Sequence, residues 1–196
     1  MFTRVVALGA ALSLVLVGCS DVRRKATEAL DSAASQVAGQ SGTQNDISKW
    51  NAETIGKAFT AVNEKVGANP ADYVSVLVSG YSIAVKAIDP KKRENVDEYR
   101  YNGAQVQTAP VDVSSNEPGV IEQSAFVSDT VDPAVLAAVL GSAVKDSGVE
   151  EGKIVSLSYS KTWANDAEPV IRVFVESARA KKNLRYTQAG VFQDAT

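Results

Sequence analysis

The chain has 196 residues, with 20 Lys plus Arg against 23 Asp plus Glu, no His and one Cys, for a formal charge of −3 at pH 7. Without His there are no Ser-His or Cys-His nucleophile pairs and few ways to build a metal-ligand cluster. The mild acidic excess suits solubility and leaves no basic surplus for nucleic acid.

Arg4 gives a short positive start, residues 5–17 form an uncharged run of mostly Ala, Leu and Val, and Gly18 precedes Cys19. This is the three-part layout of a secretory signal. The run is too short to cross a bilayer core of about 30 Å comfortably as a helix. It ends in Leu16-Val17-Gly18-Cys19, which resembles the lipobox of bacterial lipoproteins. The resemblance implies a thioether-linked diacylglycerol on Cys19, cleavage that removes residues 1–18, and acylation of the new N-terminus. Each buried CH₂ contributes about 0.8 kcal/mol, so two or three acyl chains hold a protein where one does not. The expected location is the cell membrane, lipid-anchored and facing outside the cytoplasm. Removing Arg4 with the signal leaves 19 basic against 23 acidic residues.

Residues 19–46 read as a lipid-anchored tether. Val22, Ala26, Leu30, Ala33 and Val37 recur at helical spacing, so residues 21–38 form either a weakly amphipathic spacer helix or a helix docked onto the fold. Residues 39–45 have the composition of a flexible linker. Arg23, Arg24 and Lys25 stand where they attract anionic headgroups.

The first helix-plus-sheet module spans residues 47–109. Asp46 is read as the N-cap of a helix carrying Ile47, Trp50, Ile55, Phe59, Val62 and Val66, closed by Gly67. Strands follow over residues 73–78 and 81–88 around Ser79-Gly80. Val74, Val76 and Val78 share one face, and Tyr81, Ile83, Val85 and Ala87 another. Residues 96–101 and 104–108 form a hairpin around Asn102-Gly103, a favoured type I′ pair. Residues 110–130 are a connector. The second module, residues 131–196, opens with Asp132 as cap and Pro133 in the first turn. Val135, Leu136, Val139, Leu140 and Val144 form its stripe, and Gly148 closes it. Strands over residues 153–161 and 170–177 precede a hairpin over residues 181–193.

Gly67 and Gly148 are 81 positions apart, and Arg100-Tyr101 and Arg185-Tyr186 are 85 apart, an offset that indicates duplication. The fold class is therefore α+β: two tandem modules, each one helix on a four-stranded antiparallel sheet. A 60-residue unit buries only a marginal core, so the two are expected to pack together. Tyr99-Arg100-Tyr101-Asn102-Gly103-Ala104-Gln105-Val106 and Tyr186-Thr187-Gln188-Ala189-Gly190-Val191 resemble the closing hairpins of PepSY-type modules of bacterial envelope proteins. The tandem layout is also similar in outline to secreted β-lactamase inhibitor proteins. These resemblances imply binding or inhibiting a protein, or sensing in the envelope.

Chemistry is sparse. Ser142-x-x-Lys145 and Ser158-x-x-Lys161 match the spacing of penicillin-binding nucleophiles, but Ser142 lies late in a helix, Ser158 lies in a strand, and no Ser-Asp-Asn or Lys-Thr-Gly follows. Glu94, Asp97 and Glu98 sit beside Lys91, Lys92 and Arg93 as a self-compensating surface. No catalytic residue, metal ligand or cofactor is expected. If Ile171, Val173 and Val175 face the helix, Arg172 and Phe174 face away, and Arg100 and Arg185 join them. With Trp163 these are residue types enriched at binding hot spots, unless the face packs against the other module or the tether. The expected function is a non-enzymatic, membrane-anchored binding or scaffolding module with another envelope protein as partner. The alternative is a carrier of a lipid or small hydrophobic ligand, with an apolar cavity between helix and sheet.

Overall fold

Local capping chemistry starts the fold at a different place from the one the sequence suggests. The computed structural model describes residues 46–113, 119–162 and 167–196; the signal, Cys19, the tether and Trp163 lie outside the described residues. Asp46 caps only a 3-10 turn, Ile47–Lys49, its carboxylate accepting from the Ser48 N–H at 2.9 Å. Helix α1, Ala52–Val66, starts instead at Asn51, which exchanges hydrogen bonds with Thr54 in a capping box. Trp50, extended between the two, donates its indole N–H to the Ser79 carbonyl at 2.6 Å, pinning the turn to the sheet. Gly67 closes α1 in the left-handed conformation.

Strands β1 (Asp72–Ser79), β2 (Ile83–Ile88), β3 (Val96–Tyr101) and β4 (Val106–Val111) follow. The connector holds a short helix α2, Val120–Ser124, and a two-residue strand β5, Phe126–Val127. Helix α3, Pro133–Ser147, has Asp132 as N-cap and Gly148 as left-handed C-cap, as expected. It is followed by β6 (Lys153–Ser160), β7 (Val170–Glu176), β8 (Lys181–Thr187) and β9 (Phe192–Ala195).

The strands do not divide into two four-stranded sheets. They form one nine-stranded antiparallel sheet in the order β4-β3-β2-β1-β6-β7-β8-β9, with β5 also on β1. The seam is β1 on β6, pairing Val76 with Tyr159, Leu77 with Ser158, Val78 with Leu157 and Ser79 with Ser156. Two separate sheets would leave both strands as open edges, each with a row of unpaired backbone groups; joining them satisfies both. β5 continues along the same side of β1, pairing Asp72 with Val127 and Tyr73 with Phe126.

Helices α1 and α3 contact each other and cover one face of this sheet. A single core runs beneath both, with Ile55, Val62, Leu136, Val76, Leu157 and Ile171 fully buried. Tyr73, Tyr159 and Tyr186 are its largest fully buried side chains. Their hydroxyls donate to the Asn63 amide oxygen (2.7 Å), the Thr130 carbonyl (3.1 Å) and the Asp146 carboxylate (3.0 Å). Among the described residues no buried side-chain nitrogen or oxygen lacks a partner.

Three local expectations are corrected. A bulge between Tyr73 and Ser75 shifts the phase of β1, so Tyr73, Val76 and Val78 are buried and Val74 is not. The β1–β2 turn lies one step further on, with the Ser79 N–H donating to the Ser82 carbonyl, and Tyr81 is 55% exposed on it. In the β3–β4 hairpin the two central residues are Gly103 and Ala104. Gly103 has φ +102 but Ala104 has no positive φ, and the Gln105 N–H donates to the Asn102 side-chain oxygen, so the turn is not of type I′.

The β8–β9 turn gives a direct test. Gly190 has φ +78, and a Cβ there meets Val135 Cγ1 at 2.9 Å. Gly190→Ala therefore combines left-handed strain with a clash against α3. The expected loss is about 1–3 kcal/mol in denaturant unfolding; unchanged stability would show that the turn does not hold β9 against the helix.

Candidate partner-binding face

Strand register decides which side chains share the sheet face opposite the helices. Because neighbours are paired directly across the ladders, one row crosses all eight strands of the main path. It reads Gln107, Arg100, Ala84, Leu77, Ser158, Arg172, Arg185 and Asp194. An adjacent row places Ser79 and Ser156 beside Phe174 and Asn183. The sequence expectation that Arg100, Arg172, Phe174 and Arg185 point away from the core is met, because Ile171, Val173 and Val175 are fully buried on the other side of β7. Trp163 lies outside the described residues.

These residues form two groups. Arg172 and Arg185 face each other across β7 and β8, while Arg100 is four strand spacings from Arg172, about 19 Å. Like charges directly opposite are unfavourable, and local partners relieve the pair. Arg185 binds the Asp194 carboxylate through Nε at 3.0 Å and Nη2 at 2.8 Å. Arg172 hydrogen-bonds the Thr162 hydroxyl, and Arg100 pairs with Glu98. Between the groups lie Ser75, Ala84, Ser156 and Ser158, with Leu77 44% exposed among them and the long side chain of Lys86 paired across from Ser75. This face thus carries guanidinium groups, the Lys86 ammonium and one half-buried aromatic ring.

Two further features bring together residues far apart in the sequence. Arg93, in the β2–β3 loop, grips Glu122 of α2 with Nε and Nη2 at 2.7 and 2.6 Å and holds Asp72 of β1 at 2.8 Å. In the sequence Arg93 is one residue of a charged loop. Its partners are 21 and 29 positions away, so no local pattern marks them. A second feature is a cleft of about 620 Å³ between α1 and the segment after β5, lined by Phe59, Thr60, Asn63, Asn69, Asp129 and Pro133. Its polar groups bind one another. Asn63 donates to Asn69 and to Ser128, and Ser128 Oγ accepts from the Ala71 N–H at 3.0 Å.

The Ser-x-x-Lys pairs do not form nucleophile-base contacts. Ser142 donates to Asp146 at 2.7 Å, and Lys161 donates to the Gln123 carbonyl at 2.8 Å. Glu94 sits 3.7 Å from Lys92, and Glu98 is held by Arg100. Among the described residues no group of three or more His, Cys, Asp or Glu side chains is placed to hold a metal ion, and no helix is long and apolar enough to cross a membrane. Comparison with known proteins finds no matching family model, curated protein or solved structure.

Proposed function

We propose that the chain is an exported, lipid-anchored, non-enzymatic binding or scaffolding protein of the cell envelope, and that its outer sheet face docks another envelope protein. One observation carries this reading: Arg100, Arg172, Phe174 and Arg185 share the sheet face opposite both helices. Arg and aromatic side chains are the types that concentrate binding energy at interfaces. Anchoring rests on the lipobox-like Leu16-Val17-Gly18-Cys19. The order α1-β1-β2-β3-β4 recurs as α3-β6-β7-β8-β9, and the sheet order is symmetrical about the β1–β6 seam. That supports a duplicated helix-plus-four-strand unit of PepSY-like plan.

The test is crosslinking and pull-down of the lipidated protein from native membranes. Arg172→Glu combined with Phe174→Ala is expected to remove the crosslinked partner while leaving the circular dichroism spectrum and melting temperature near those of the parent. Retention of the partner at the parent level would overturn the assignment of the face. Loss of the fold in this variant would show that the two side chains are structural. Anchoring is tested separately: Cys19→Ser is expected to move the protein out of the membrane fraction, and continued membrane association would refute a lipid on Cys19.

A further inference from the structure

The two ends of the sheet are not alike. At one end β9 is four residues long, carries Asp194, and has a register irregularity against β8. Short length, charge and a bulge are the usual ways of blunting an edge against pairing with another chain. At the other end β4 is six residues long and pairs with β3 without interruption from Val106 to Val111. Residues 104–111 contain no charged side chain. Gln107, Thr108, Ala109 and Pro110 are all exposed, and among the described residues no strand pairs with the far side of β4.

Hydrogen-bond parity shows what that edge offers. The Asn102 N–H donates to the Gln105 carbonyl, so this is a hydrogen-bonded pair. Alternation along an antiparallel ladder then makes Arg100–Gln107, Glu98–Ala109 and Val96–Val111 hydrogen-bonded pairs. Val106, Thr108 and Pro110 fall between them, with their backbone groups pointing away from β3. Pro110 therefore takes no donor from the β3 ladder, which is the edge position where proline is tolerated. Val106 and Thr108 each turn an N–H and a carbonyl outward, with no backbone partner among the described residues.

We infer that β4 is a pairing edge for a second copy of this chain, in antiparallel register with Gln107 opposite its own counterpart. In that register Val106 faces Thr108 of the other copy and Thr108 faces Val106. All four outward donors and four outward acceptors of these residues are used, in four backbone hydrogen bonds. Pro110 falls beyond the ladder and leaves no unpaired group within it. The strand carries no charge, so like meets like without repulsion. One strand pair buries well under the roughly 1,200 Å² typical of a stable interface. The association is therefore weak and dependent on concentration.

The register makes Gln107 a non-hydrogen-bonded pair across the two-fold, with Cα atoms about 4.5 Å apart, within the range a disulfide spans. The full-length Gln107→Cys chain is expected to form a disulfide dimer under mild oxidation at high protein concentration. The parent chain controls for Cys19, and Gln193→Cys, at the opposite edge, controls for random collision; neither should dimerise to a comparable extent. Thr108→Pro deletes an outward donor without touching the β3 ladder, and adding it to Gln107→Cys should lower dimer yield at least about tenfold. If Thr108→Pro proves unstable, Thr108→Lys applies the same test by placing charge on the exposed edge. A Gln107→Cys yield no higher than that of Gln193→Cys, or one unaffected by the Thr108 changes, would overturn the inference.

Discussion

Leu157→Ala is expected to destabilise both halves of the sheet in one step, because Leu157 lies at the seam between them. It is fully buried on β6, directly opposite Val78 of β1. Buried Leu→Ala changes cost about 2–5 kcal/mol, and for a body of this size each kcal/mol lowers the melting temperature by roughly 2–4 °C. A drop on the order of 10 °C follows. The informative part is its form. With one core beneath α1 and α3, calorimetry should show a single endotherm whose calorimetric and van't Hoff enthalpies agree, displaced as a whole. Two autonomous modules would give two transitions, with only the second moved. Resolving two peaks would therefore contradict a shared core.

The elements that could be read from the sequence were those fixed by neighbours within one or two turns. Asp132-Pro133 and Gly148 set the limits of α3, and the alternation of Ile171, Val173 and Val175 put Arg172 and Phe174 on the outer face. Errors entered where two local solutions compete. Asp46 and Asn51 are both good caps, and the choice falls to Asn51 because Trp50 is drawn out of helical geometry to reach the Ser79 carbonyl. The β1 bulge likewise answers to long-range packing: it turns the Tyr73 ring into the core, edge-on to Phe59 and Phe126. The joining of two expected sheets into one was the largest departure. Edge pairing between β1 and β6 depends on backbone groups common to every residue, so no side-chain pattern announces it. The same holds for the latch at Ser128, where one hydroxyl serves both Ala71 and Asn63.

Alkaline pH should unfold this protein through its buried tyrosines, and the sign follows from where their protons are held. An unfolded tyrosine has its ordinary value near 10. Burial pushes Tyr186 up to about 12, assisted by the Asp146 carboxylate that accepts its hydroxyl. Burial raises Tyr73 further still, with Asp129 adding to the effect. Tyr159 and Tyr99 are also raised, chiefly by burial. The folded chain thus keeps protons that the unfolded chain releases. Their contribution is intact below pH 10 and is lost as pH rises from 10 through 12. With no His in the chain, no side chain among the described residues has an ordinary value near neutrality, so denaturant midpoints should be nearly flat between pH 6 and 9. Above that they should fall steeply, with Tyr186 alone contributing on the order of 2 kcal/mol. The Lys57–Glu53 pair is exposed and of small energetic weight, so it adds little to this decline. Comparing the parent with Tyr186→Phe isolates the tyrosine: the variant starts less stable at pH 8, having lost the bond to Asp146, and declines less between pH 10 and 12. Parallel declines in the two proteins would mean that the Tyr186 proton is held no more tightly in the folded chain than in the unfolded one.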